Sequence, residues 1–589
     1  MGLIIAWMIR NPFTQFLMGG KGFAGRNIIY KFLILGFLIV SLSILIYLLL
    51  VFIVFLLSKI PKIEKLSSWF DRYGMPIIAI FVAFFSIYYA VRYSGQPLLE
   101  AHGFRQTQTA LASYWMIKDG WKLAYETPVI GYPWSVPFEF PLYQSLVALI
   151  AWAGKFTLDP VGRLVSFAFL LACAWPAFKI VKRLELPAKT AWLFIALLWS
   201  SPLYLFWGRA FMIETAALFF TFAAVPYLFD LFSDNPGWKN VILFSLWGTL
   251  GALQKSTTAL PALFVMAVLV LIDHLVKHKL KMPSFKKITC VLVAFLVPVL
   301  IGLLWTHYTD VIKSFNLIGN DLTSQSVTGW MPGTLQQRFD PKVLKTIFWD
   351  RIFIPNGSGL FGITLLVAAY VWGEKRIRKI ITICLILMVF PLALLTNVHY
   401  IHDYYQTSST LFLIGGLAIS IFAITEKTTR KTILLIGMTI LFITSNLVSF
   451  SKNYEKVMTR VINPSTQPLL ILTDLVEQYT PKDSAIAIFG KDWSGEIGYY
   501  SERKSLTVPD EFFEKIWPHP SNFLGDMELG AMINCLNEPH PPSLDDFLQR
   551  PEIQAHPFVY QIGKCYLWMP DVEGDIITIN DEILAPMPF

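Results

Sequence analysis

Apolar residues fall in long runs along this chain, separated by short polar segments. Crossing a bilayer takes about 20 mostly apolar residues. Runs near 30–58, 75–92, 161–181, 188–206, 211–232, 239–254, 258–276, 288–307, 359–373, 380–396, 408–424 and 432–450 therefore predict about twelve membrane helices. The shorter runs, 359–373 among them, require a surrounding bundle. Segment 141–154 (PLYQSLVALIAWAG) has a helical period but is too short to cross, which predicts a helix lying in the membrane interface. After Phe450 the chain turns polar and Pro-rich. There 484–489 (SAIAIF) reads as a buried strand, 494–500 as a short helix, and 505–508 and 566–569 as further strands. Three parts follow: a membrane anchor and linker over 1–74, a helical membrane domain over 75–450 with a long first loop at 93–160, and a small α/β domain over 451–589.

The cations set the expected orientation, because Lys and Arg collect in cytoplasmic loops. Lys179, Lys182, Arg183 and Lys189 fall in one loop, and Lys277, Lys279, Lys281, Lys286 and Lys287 in another. Lys375, Arg376, Arg378 and Lys379 form a third group, and Lys427, Arg430 and Lys431 a fourth. These loops alternate along the chain and join segment 59–74 on the cytoplasmic side. Loops 93–160, 201–210, 308–358, 397–407 and the tail 451–589 then face outward. If 30–58 crosses, residues 1–29 with Arg10, Lys21 and Arg26 also lie outside; a re-entrant hairpin is the other reading.

Composition agrees. The 589 residues are 55% hydrophobic and 15% charged, with a mean hydropathy of +0.55, against about 25% charged in soluble domains. A disordered chain is excluded and a soluble enzyme disfavoured. The net charge of +8 comes from cations between apolar runs, so nucleic acid is not an expected partner. No cleavable signal or lipidation pattern stands at the start. Cys173, Cys290 and Cys384 fall inside apolar runs; Cys535 and Cys565 lie in the outward tail, where an oxidising compartment would allow a disulfide.

Four polar clusters share the outward side. Glu100, His102 and Arg105 occupy 99–109 (LEAHGFRQTQT), and the Arg guanidinium suits a phosphate. Glu139 lies among prolines and aromatics in 136–143 (VPFEFPLY), where partial desolvation suits a general base. Arg209 and Glu214 flank a tight turn, with Lys255 expected in the same layer. The segment 399–406 (HYIHDYYQ) holds His402, Tyr404 and Tyr405. His and Asp there are metal-ligand types, but no second cluster has ligand spacing, so hydrogen bonding to a sugar or phosphate is the preferred reading; no cofactor is indicated, and a divalent metal stays the open alternative. Nucleotide-binding, Gly-x-Ser-x-Gly and His-Glu-x-x-His patterns are absent, as are the paired broken helices of coupled transporters.

The order and spacing of 104–110 (FRQTQTA), 139–143 (EFPLY), Arg209 to Glu214, Lys255 before 256–260 (STTAL), 402–406 (HDYYQ) and 499–504 (YYSERK) resemble the bacterial multi-pass glycosyltransferases of the GT-C superfamily. The similarity is to the family 39 protein O-mannosyltransferases and the lipid A aminoarabinose transferases. The resemblance implies a GT-C membrane fold in the bacterial inner membrane, with the active site and the C-terminal domain in the periplasm. It implies a polyprenyl-phosphate sugar donor, a glycan, lipid or protein acceptor, and inversion at the anomeric carbon. Arg105, Arg209 and Lys255 would then meet the phosphate, with His402, Tyr404, Tyr405 and His102 around the donor. Related sequences usually read Arg-Gln-x-Asp-Thr-Ala, and here Gln108 replaces that Asp. An amide takes up no proton near neutral pH, so the base falls to Glu139, with Glu100 and then Glu214 as alternatives. The same departure leaves a rival reading, a non-catalytic relative that binds lipid-linked glycan or scaffolds an envelope complex; a second rival, a transporter of lipid-linked sugar, would need polar residues through the bundle, whereas the sequence places them on one side.

Overall fold

The computed structural model describes residues 63–279, 281–428, 431–536, 542–579 and 582–587. The predicted span 30–58 lies outside them. The membrane part is built from α1 (Ile63–Arg92), α2 (Gly103–Lys118), α3 (Leu142–Gly154), α4 (Leu158–Ala172), α5 (Ala174–Arg183), α6 (Ala188–Ser200), α7 (Pro202–Trp207), α8 (Glu214–Leu231), α9 (Trp238–Gln254), α10 (Ser256–Lys277) and α11 (Phe285–Lys313). After short helical turns and a helical stretch over Pro341–Gly357 come α12 (Leu360–Trp372), α13 (Lys375–Leu394), α14 (Thr396–Ile401), α15 (Thr407–Glu426) and α16 (Lys431–Phe450). Among the described residues eight helices are long and apolar enough to cross a membrane, or nine if one bent pair counts as a single span. The chain is a multi-pass membrane protein. Its apolar side chains point outward as well as inward (Phe81 is 71% and Leu304 68% exposed), as expected of helices solvated by lipid.

Several elements depart from the expected boundaries. The first described helix starts at Ile63, not near 75, and within it Asp71 meets Lys189 at 3.3 Å and Thr432 at 2.8 Å. The run 188–206 is two helices, broken where Ser201 is extended and Pro202 opens the next turn. The short run 359–373 bends 84° from the helical stretch before it, at a corner where Ser358 and Gly359 both take positive φ. Segment 141–154 is a 13-residue helix with Tyr143, Val147 and Ala151 buried, and with Leu149 (50%) and Trp152 (65%) exposed on its other face.

The C-terminal part contains α17 (Pro468–Tyr479), α18 (Glu496–Tyr500), and strands β1 (Ala485–Phe489), β2 (Lys504–Thr507), β3 (Leu529–Cys535), β4 (Val559–Ile562) and β5 (Cys565–Trp568). The sheet order is β2-β1-β3-β5-β4, with β2, β1 and β3 parallel and β5 antiparallel to both neighbours. Strand β1 is buried throughout, which explains its unbroken apolar sequence. Its Ile486 and Ile488 face Leu472 and Leu475 of α17. The alternate residues Ala485, Ala487 and Phe489 join a core with Leu111, Ile130 and Trp134 of the first loop. That loop also covers the β2 edge: Ser505 and Thr507 donate backbone N–H to Pro128 and Val129 at 3.1 and 2.7 Å, and Gly131 N–H donates to Ser505 at 3.0 Å. A disulfide joins Cys535 and Cys565, opposite each other on β3 and β5.

Candidate functional site

The loop from α1 to α2 carries Glu100, which is almost wholly buried. Its Oε1 accepts from Arg163 Nη2 at 2.9 Å and its Oε2 from Arg209 Nη2 at 2.7 Å. Arg163 also donates to the carbonyls of Ser94, Gln96 and Pro97. Burial works to raise the Glu100 pKa, but Arg209 and Arg163 outweigh it and hold the carboxyl below its usual range. A carboxylate held so by two guanidiniums is a weak proton acceptor, and its geometry is that of a strut. Arg209 is fully buried, and its Nε and Nη1 find no hydrogen-bond partner among the described residues.

One turn into α2, Arg105 Nη2 donates to both oxygens of Glu139, at 3.1 and 3.0 Å. Gln144 Nε2 donates to Glu139 Oε1 at 2.8 Å. The loop bearing Glu139 is tied to the end of α9: Phe140 N–H donates to the Leu253 carbonyl at 2.9 Å, and Tyr143 N–H to Gln254 Oε1 at 3.2 Å. The next residue, Lys255, is extended and breaks α9 from α10. Its Nζ reaches Glu214 Oε2 at 2.5 Å and stands 3.5 Å from the Tyr405 ring centre and 5.1 Å from that of Tyr404.

The ring cluster links these parts. His102 lies 5.0 Å from Tyr404 and 5.3 Å from His402 between ring centres. Burial, and then the charges of His102 and Lys255, push the His402 pKa down to about 4, so the ring is neutral near pH 7. Asp403 is engaged by His102 at 3.4 Å and Trp207 at 3.3 Å. His399 faces Tyr405 instead, at 5.9 Å. Burial, with Lys255 and Arg351, pushes the His399 pKa down to about 3. His399 and His402 thus meet Tyr405, while Asp403 meets His102 and Trp207. The structure brings Arg105, Glu139, Lys255, Glu214, His102, His402, Tyr404 and Tyr405 into one neighbourhood, while Glu100 joins Arg209 to Arg163.

The sheet domain closes this neighbourhood. Gln108 Nε2 donates to the Trp493 carbonyl at 2.9 Å, so the amide faces the domain contact. The hydroxyls of Tyr499 and Tyr500 both reach Asp159, at 2.6 and 3.0 Å. Gly103 leaves no room for a side chain, since a Cβ there would lie 2.6 Å from both Glu496 Oε1 and the Leu98 carbonyl oxygen. A cleft of about 820 Å³ remains between His402, Phe104 and Trp330 on one side and Lys491, Asp492 and Trp493 on the other.

Neither family models nor curated protein sequences match this chain. Solved structures do. ArnT from Cupriavidus metallidurans bound to undecaprenyl phosphate aligns with a TM-score of 0.52 at 11% identity, covering 84% of this chain and 98% of that one. Its apo form aligns at 0.50 with 10% identity over the same shares. The oligosaccharyltransferase AglB from Archaeoglobus fulgidus, in complex with an inhibitory peptide and a dolichol-phosphate, gives 0.48 at 11% identity over 79% of this chain and 70% of that one. The chain has the GT-C fold. Within that fold the sequence reading missed Arg163, Asp159 and Gln144. Arg163 did leave a signal, as a lone guanidinium inside the apolar run 158–172. Gln144 left none, because its importance lies in the turn that aims it at Glu139.

Proposed function

We propose that this protein is an inverting glycosyltransferase that moves a sugar from a polyprenyl-phosphate donor to an acceptor at the periplasmic face of the bacterial inner membrane. The observation that carries the reading is the buried Arg209, whose Nε and Nη1 lack partners among the described residues; the Arg105–Glu139 and Lys255–Glu214 pairs supply further charged groups. Unmatched guanidinium donors suit a phosphate leaving group, and the Glu139 carboxylate suits a proton acceptor. The fold shared with ArnT bound to undecaprenyl phosphate supports the same donor class.

In this mechanism the donor phosphate draws Arg105 away from Glu139, and Arg209 and Lys255 take up its remaining charge. Glu139, left with Gln144, accepts the acceptor hydroxyl proton. The hydroxyl oxygen bonds to the anomeric carbon from the face opposite the phosphate, and the bond from that carbon to the phosphate oxygen breaks. Neutral His402 and the hydroxyls of Tyr404 and Tyr405 hydrogen-bond the sugar. The test is purified protein in detergent with a panel of polyprenyl-phosphate sugars and acceptors, following transfer and anomeric configuration. Retention of configuration would overturn the mechanism.

One observation favours the non-catalytic rival: Glu100, Glu139 and Glu214 are all ion-paired, and Gln108 is turned to Trp493. Binding of polyprenyl phosphate without turnover of any donor would support that rival.

A further inference from the structure

At the other ends of α9 and α10, about 25 Å or more from Lys255 by helix rise, lies a second cluster. Asp234 is in the turn between α8 and α9, and His274 and His278 end α10. Side chains four residues apart share one helix face, and here the two imidazoles stack with centres 4.4 Å apart. His278 Nε2 is 2.8 Å from Asp234 Oδ1. One potential ligand atom from each residue lies within 4.8 Å of the others. An ion pair between His278 and Asp234 explains that contact but not His274. This ring is only 5% exposed, and neither of its nitrogens has a hydrogen-bond partner among the described residues. Buried polar groups without partners are rare in folded proteins and call for an explanation such as a bound ion.

We propose that Asp234, His274 and His278 bind one divalent transition-metal ion of the Zn²⁺ class. Two imidazoles and one carboxylate are the donor types such an ion takes, at about 2.0–2.2 Å each, with water in the fourth position of a tetrahedron. Small side-chain rotations bring donors within 4.8 Å to that geometry, and Asp234 is free to make them because its side chain is 72% exposed. The competing cation is Lys287, whose Nζ is 3.8 Å from Asp234 Oδ1. The ion would replace it and fasten the turn at 232–237 to the end of α10. It would thereby tie together the far ends of the helices whose near ends carry Glu214 and Lys255.

The experiment uses the full chain in detergent, stripped with chelator and then exposed to Zn²⁺ or Co²⁺. One tightly held equivalent of Zn²⁺ per chain is expected, together with visible absorption from Co²⁺ in a four-coordinate site. His274→Ala should abolish both. Asp234→Asn, at an exposed position, should weaken binding about tenfold or more, at least the cost of about 10- to 100-fold seen on losing a residue that only orients a metal ligand. His402→Gln should leave the equivalent in place. No stoichiometric metal, or an equivalent that survives both Asp234→Asn and His274→Ala, overturns the proposal.

Discussion

Arg105 Nη2 contacts both carboxylate oxygens of Glu139, at 3.1 and 3.0 Å, so the proposed base and a proposed phosphate ligand are partners before substrate arrives. Glu139→Gln removes the proton acceptor and loosens Arg105. Sugar transfer should fall by about 10²–10⁴-fold, the usual worth of a general base, while polyprenyl-phosphate binding is kept or tightened. Steady-state transfer and lipid titration on the same preparation measure both. Wild-type turnover in this variant would move the base elsewhere.

Glu100 should behave differently. Its two guanidinium partners are nearly inaccessible, so Glu100→Gln leaves buried positive charge without a counter-charge. A lower unfolding temperature should accompany any loss of activity. A stable but inactive Glu100→Gln protein would point to direct participation instead.

Glu214 and Lys255 form the third buried pair. Glu214→Ala strands the ammonium and should destabilise by about 3 kcal/mol or more. Adding Lys255→Met should restore part of the stability but no transfer. Thermal unfolding of the single and double variants reads the first effect. An unchanged midpoint in Glu214→Ala would show that Lys255 reaches solvent.

Two histidines predict an acid limb. The folded protein holds His402 near 4 and His399 near 3, against 6.5 for an ordinary histidine. Below pH 6.5 the unfolded chain binds more protons than the folded one, so stability is full above that value and declines as pH falls toward 4. The unfolding temperature of His402→Gln should drop less between pH 7 and 4.5 than that of the wild type, by about the share of one group. Equal slopes would place His402 in a more solvated setting.

Cys535 and Cys565 close a span of 30 residues. Cys535→Ser should weaken the sheet domain by about 2–4 kcal/mol. In intact cells neither thiol should react with an alkylating reagent until a reductant is added. Ready alkylation without reductant would contradict periplasmic placement.

Much of the architecture was legible because lipid imposes a simple rule: a helix that must hide its backbone from hydrocarbon shows as an apolar run. The β1 strand was legible for a related reason, since both its faces are covered. What sequence could not show was partnership. Arg105 and Glu139 are 34 residues apart, and ties from 138–143 to Tyr125, Trp305 and the end of α9 bring them into register. The residues at 399–403 read as one set, yet the turn from α14 into the following segment sends His399 toward Tyr405 and Asp403 toward Trp207. Residues 341–357, between α11 and α12, read as open loop although they form a continuous helical stretch, because Lys342, Lys345, Asp350 and Arg351 interrupt its apolar positions.

The fit at Gly103 bears on how such proteins diversify. Even a methyl group there would collide with the backbone at Leu98 and with Glu496 of the C-terminal unit. The extramembrane unit is thus no interchangeable cap. A chimaera taking that unit from a relative would need the matching 98–103 stretch as well, so the two regions should be inherited as one block.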